Sequence, residues 1–95
     1  MIRIMARISS RPQAEIQLRQ ILRDLVDPSR KEAACISYEL FQNEENPIEF
    51  VTMEQWADQA GAEAHSTTPH VADAIAKAGN LLAQPPLIQR FKQLA

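Results

Sequence analysis

A ferredoxin-like α+β fold is what this sequence predicts, and three observations lead to it. The chain opens on a period-two run, Ile2 to Ser9, and a helical stretch follows. Two strand-like runs, 34–43 and 48–57, then flank a polar turn. A second helical region leads through Pro85-Pro86 to a last strand-like run, Leu87 to Leu94. The order β-α-β-β-α-β belongs to a four-stranded antiparallel sheet with helices on a single face.

In the first strand Ile2, Ile4, Ala6 and Ile8 alternate with Arg3, Met5, Arg7 and Ser9, so one face is apolar. Ser10-Arg11-Pro12-Gln13 has the form of a capping box that opens a helix. Ala14, Leu18, Ile21, Leu22 and Leu25 recur at helical spacing as the buried stripe, with Ile16 on the opposite side. Asp27-Pro28 stops that helix or restarts it for one further turn. In the second strand Ile36, Tyr38 and Leu40 share one face, and Cys35, Ser37, Glu39 and Phe41 the other. Apolar groups on both faces predict that both are covered, the outer one by a partner's sheet. A third strand runs from Ile48 to Ala57 and pairs with the second as a hairpin. Asp58 caps a short helix around Ala60–His65, and Thr68-Pro69 caps and starts the next. That longer helix takes Val71, Ile75, Ala78 and Leu82 as its stripe. Gly79 within it costs about 1 kcal/mol relative to alanine and marks either a close contact or a break.

A chain of 95 residues is read as one domain, 1–95, small enough for oligomerisation to supplement its core. One cysteine excludes an internal disulfide framework, and no stretch resembles a signal peptide or a spanning helix, so the expected localisation is cytoplasmic. The net charge of −2 hides a polarity: residues 1–31 carry seven Lys/Arg against three Asp/Glu, and 32–63 carry eight Asp/Glu and no base. Glu15–Arg19 and Arg23–Asp27 answer part of the basic excess at helical spacing. With no recognised motif or aromatic-laced basic patch, nucleic acid is not an expected partner, and neither is a membrane.

Chemistry concentrates between Glu54 and His70. Glu54 and Trp56 are two apart and share a strand face, and the indole N–H needs a partner if buried. Both histidines, His65 and His70, lie in the run Glu63-Ala64-His65-Ser66-Thr67-Thr68-Pro69-His70. Imidazole is the side chain that changes charge near neutrality, which makes His65 the candidate base. His70 falls in the first turn of its helix, where the dipole disfavours a charged imidazolium. Each residue also has a plain structural reading. Trp56 and Tyr38 could be core packing, Glu54 half of a cross-strand ion pair, and His70 a helix cap. Cys35 is read as a small buried hydrophobe. The histidines are five apart with proline between, unlike an i, i+4 zinc pair, and no third ligand is evident, so no metal site is expected.

The motifs Ala34-Cys35-x-x-Tyr38, Glu54-x-Trp56, His65 and Thr68-Pro69-His70 together resemble the antibiotic-biosynthesis monooxygenase family, which includes quinol monooxygenases. The resemblance spans essentially the whole chain. It departs at Ala34, where the family usually has glycine. It implies a homodimer of ferredoxin-like subunits, stacked sheet to sheet into an α+β barrel. It further implies oxidation of a small quinol or phenolic aromatic by O₂ with no flavin or metal cofactor. The protein then supplies a base, an apolar cavity and groups that hold an oxygen-derived anion. On that reading His65, Tyr38 and Trp56 are the catalytic group, and Arg7 (or Arg3), Glu54 and His70 bind the substrate. Haem-degrading relatives rely on a first-strand Asn and a short-helix Trp, and this chain has neither. A branch that isomerises a phosphorylated dione in autoinducer-2 breakdown shares the Thr67-Thr68-Pro69-His70 run. Its members usually follow that run with Tyr, where Val71 stands here. A non-catalytic dimer that binds a small ligand is the third reading.

Overall fold

The computed structural model describes residues 1–95. Its elements are β1 (Ile2–Ser9), α1 (Glu15–Arg30), β2 (Cys35–Gln42), β3 (Glu49–Trp56), α2 (Gln59–His65), α3 (Pro69–Ala78), a 3₁₀ turn (Gly79–Leu81) and β4 (Leu87–Phe91). The strands form one antiparallel sheet in the order β2-β3-β1-β4, the ferredoxin-like arrangement that the sequence predicts.

The core sits on one face of this sheet. Ile8 of β1 and Phe50 of β3 pack against Leu18 and Leu22 of α1 and Ala78 of α3. A second cluster joins Tyr38 of β2, Trp56 of β3 and Ala62 of α2, and this one underlies the histidines. Gly61 lets α2 lie close, because a Cβ there would strike the Cβ of Ala34. The alanine that departs from the family's glycine is thus accommodated by a glycine on the facing helix.

Several local expectations fail, each for a tertiary reason. Ser10 opens no helix. Its backbone bridges to Leu82, its N–H donates to the Ile48 carbonyl, and its Oγ donates to the Arg11 carbonyl, so it is buried before the helix begins. Gln13 then takes a left-handed φ of 70°, and α1 starts at Glu15 with no side-chain cap. Of the two readings of Asp27-Pro28 the further turn is the one that holds, since α1 runs through Pro28 to Arg30. Ile75, assigned to the buried stripe of α3, is 64% exposed, while Ala78 is buried as predicted. A Cβ on Gly79 would meet nothing, so that glycine marks the change from α to 3₁₀ winding and no close contact. The pairs Glu15–Arg19 and Arg23–Asp27 do not close into ion pairs.

The most consequential correction is in β2. Cys35 pairs with Trp56, yet Ser37 pairs with Gln55 and Tyr38 with Glu54, so a bulge places one extra residue at Ile36. Beyond it the parity of the strand is as predicted. Before it the parity flips, so Cys35 packs with Tyr38 and Trp56 while Ile36 is turned out to solvent. The two residues exchange the faces that simple alternation gives them.

On the sheet face away from the helices, cross-strand partners bring together Phe41 with Val51, Met5 with Met53, and Arg3 with Phe91. Phe41, Met53, Leu87 and Phe91 are each 45–50% exposed there. No helix of the structure is long and apolar enough to cross a membrane.

Candidate active site

Two helices converge on one carboxylate. Glu32 lies in the turn from α1 to β2, its N–H bonded to the Ser29 carbonyl and its own carbonyl accepting from Cys35 N–H. From there its Oε2 meets His65 Nδ1 at 2.6 Å and His70 Nε2 at 2.8 Å. The acid and both imidazoles are mostly buried, with side chains 14%, 13% and 24% exposed respectively. A carboxylate can only accept, so the N–H of each ring sits on the nitrogen facing Glu32. In the neutral imidazole the lone pair of His65 is then left on Nε2.

Local sequence explains why the histidines reach this point. Asp58 accepts from Gly61 N–H at 2.7 Å and starts α2, which ends on His65. The hydroxyl run then closes the helix: Ser66 Oγ donates to the Glu63 carbonyl, Thr67 Oγ1 to Ala64 and Thr68 Oγ1 to His65. Three carbonyls at the end of α2 thereby receive side-chain donors. Thr68 Oγ1 also accepts from Val71 N–H and caps α3, with Pro69 at the helix start, as predicted. His70 follows in the first turn, so Thr68 is the cap and His70 is free to bond Glu32.

The floor of the site is β2 and β3. The Trp56 ring lies 4.6 Å from that of His65, centroid to centroid, and Tyr38 lies at 5.6 Å. Trp56 is fully buried, and its indole N–H donates to Glu54 Oε1 at 3.0 Å. Glu54 also accepts from Thr52 Oγ1 at 2.7 Å and makes no ion pair. Glu54 therefore fixes the indole, which in turn backs His65. Arg30 Nε donates to the Tyr38 carbonyl at 2.9 Å and ties the end of α1 to the same strand.

His65, His70, Tyr38 and Trp56 are thus brought together, with Glu54 behind the indole. Arg7 is not among them: it lies on the opposite sheet face and pairs with Glu49 at 3.3 Å. Arg3, on that face too, donates to Gln93. Glu32 is the residue that sequence reasoning missed. It is 33 residues from His65 and 38 from His70, and a lone Glu after a helix carries no motif. Spacing shows no third group beside the histidines, and the fold brings Glu32 to both of them.

Burial, and next the Glu54 carboxylate, push the Tyr38 phenol well above its ordinary pKa. The folded chain keeps this proton when the unfolded chain releases its own, near pH 10. Stability is therefore intact below that pH and falls above it, by up to about 1.4 kcal/mol per pH unit. Because Tyr38 is the single tyrosine, ultraviolet tyrosinate absorbance should rise only as the protein unfolds. A normal phenol titration in the folded protein would contradict this placement. The Cys35 thiol is likewise pushed up, by burial first and then by Glu32 and Glu54, which keeps it unreactive at neutral pH.

Known proteins share this fold and part of this sequence. A structure of PA3566 from Pseudomonas aeruginosa is 34% identical, with a TM-score of 0.93 over 99% of this chain and 94% of that one. The structure of Rv0793 from Mycobacterium tuberculosis is 29% identical, with a TM-score of 0.91 over 99% and 95%. YcnE of Bacillus subtilis is 32% identical over 90% of each chain. The chain spans only 58% of the length of sll1783 from Synechocystis, to which it is 29% identical over 90% of its own. The model of one family, antibiotic biosynthesis monooxygenase, matches residues 1–77, which hold the whole cluster from Glu32 to His70. With most of its length matched in this way, the chain belongs to the antibiotic biosynthesis monooxygenase family.

Proposed function

We propose that this protein is a monooxygenase that oxidises a small quinol or phenolic aromatic with O₂, without flavin, haem or metal in the reaction. The observation that carries the reading is the Glu32-anchored His65, whose Nε2 keeps its lone pair while Trp56 and Tyr38 hold the ring. His65 removes a phenolic proton, and the resulting anion is electron-rich enough to reduce O₂ itself. The substrate supplies all four electrons. Two of its hydrogens leave with one oxygen atom as water, and the other oxygen atom stays on the ring, giving a hydroxyquinone from a quinol or a quinone from a phenol. Tyr38, kept protonated by burial, acts with Trp56 as an apolar brace. His70 shares the acid with His65. Rv0793 and YcnE are provisionally named monooxygenases, which supports the reaction class.

The isomerase reading would gain from a basic, phosphate-sized pocket beside the histidines. A cleft of about 420 Å³ is lined by Arg19, Arg23 and Arg30, but none of Glu32, His65 or His70 borders it. An anion held there would not be placed by the imidazoles. The test is oxygen consumption by purified protein with a reactive quinol, corrected for autoxidation. No uptake, together with turnover of a phosphorylated dione, would replace this reading with the isomerase.

Assembly belongs to the same proposal. A second copy stacked on the outer sheet face would cover Phe41, Met53, Leu87 and Phe91. Obligate interfaces of this kind bury on the order of 2,000 Å² or more. Sedimentation at micromolar concentration should give two subunits, and Met53→Asp should shift the species towards one. A stable, soluble wild-type monomer under those conditions would end the barrel proposal.

A further inference from the structure

We propose that Glu32, His65 and His70 form a binding site for one divalent transition-metal ion of the zinc class, and that an ion bound there stops the base chemistry. Three separate segments deliver the ligand atoms: the turn after α1, the end of α2 and the start of α3. Those atoms all lie within 4.8 Å of one another, and both nitrogens already point at the same oxygen. The rings are braced before any ion arrives, His65 by Trp56 and His70 by the capped first turn of α3. Zinc bonds of about 2.0–2.2 Å put tetrahedral ligand atoms about 3.3 Å apart. The two contacts to Glu32 therefore lengthen by roughly 0.5–0.7 Å, and the two nitrogens, which lie within 4.8 Å of one another, draw together by up to about 1.5 Å. The partial exposure of all three groups gives room for that shift. Two imidazoles and one carboxylate suit zinc and its neighbours and leave a fourth position for water. Calcium and magnesium, which take oxygen ligands, are poorly served.

The consequence for turnover follows from counting protons, and it rests on the reading of His65 as the base. A metal on Nδ1 displaces the proton that Glu32 now accepts. The neutral ring must then carry its proton on Nε2, and the lone pair that would take the phenolic proton is gone. The same groups that hold His65 ready in the metal-free protein thus hold it inactive when an ion is bound.

Cobalt(II), a spectroscopic substitute for zinc, tests the site without reference to activity. Metal-free protein should take up one ion per subunit with visible ligand-field absorption, and zinc should displace it. Glu32→Gln and His70→Ala, each first checked by thermal melt, should weaken uptake by roughly 100-fold or more. Absence of saturable uptake by the wild type, or equal affinity in both folded variants, would overturn the site. In the oxygen assay one equivalent of zinc should abolish uptake, and a chelator should restore it. Bound ion with undiminished turnover would overturn the inhibitory step. Cobalt uptake by a protein that consumes no oxygen even when metal-free would uphold the site and count against the monooxygenase reading.

Discussion

Replacing His65 with alanine should lower oxygen-dependent turnover by roughly 100-fold or more, while the protein remains folded. The loss is that of a base already oriented: Glu32 holds Nδ1 at 2.6 Å, and the substituted chain offers no other nitrogen in that position. His70 Nε2 is itself committed to the same Glu32 oxygen. The fold should survive because His65 ends a short helix at the rim of the core, away from Leu18, Leu22 and Phe50. Two arms separate chemistry from packing. Added imidazole should restore part of the rate to His65→Ala, which a purely structural histidine would not allow. Glu32→Gln, which keeps the shape but accepts more weakly, should cost less than removal of the base. A folded His65→Ala protein with an unchanged rate would return the residue to a packing role, and the proton would have to leave by another route.

Trp56→Ala should destabilise the protein by roughly 3–5 kcal/mol, the usual range for truncating a large buried aromatic. The indole is fully buried, it centres the cluster with Tyr38 and Ala62, and it is one of two donors to a nearly buried carboxylate. Losing that donor leaves Glu54 with Thr52 alone, an added cost of about 1–3 kcal/mol. Trp56→Phe, which retains most of the volume but not the N–H, should fall between wild type and Trp56→Ala. For a domain of this size each 1 kcal/mol lowers Tm by about 4–8 °C, so the alanine variant should melt more than about 12 °C lower. Circular dichroism at matched protein concentration is the measurement, because the chain has one tryptophan and association shifts apparent stability. A fall below about 1 kcal/mol would mean that the indole does not hold this half of the core.

The sequence alone determined what depends on near neighbours in the chain. Strand-like and helical runs place the first three strands and the two longer helices, because side-chain direction repeats with backbone geometry. Pro85-Pro86 marks the start of the last strand, which ends at Phe91 and not at the expected Leu94. Asp58 and Thr68-Pro69 fix the starts of α2 and α3, since a cap bonds backbone only three residues away. His65, Trp56 and Tyr38 could also be picked out as a group, through the family resemblance that their motifs carry. What only the tertiary structure decided depends on distant partners. The bulge at Ile36 arises from registering β2 against β3, and it alone turns Cys35 inward. Ser10 loses its capping role because Leu82 and Ile48 claim its backbone. Arg7 lies across the sheet from the histidines, a matter of which face the helices cover. Glu32 joins the site because the turn that ends α1 passes under the junction of α2 and α3. No periodicity or spacing encodes a meeting of side chains 33 and 38 residues apart.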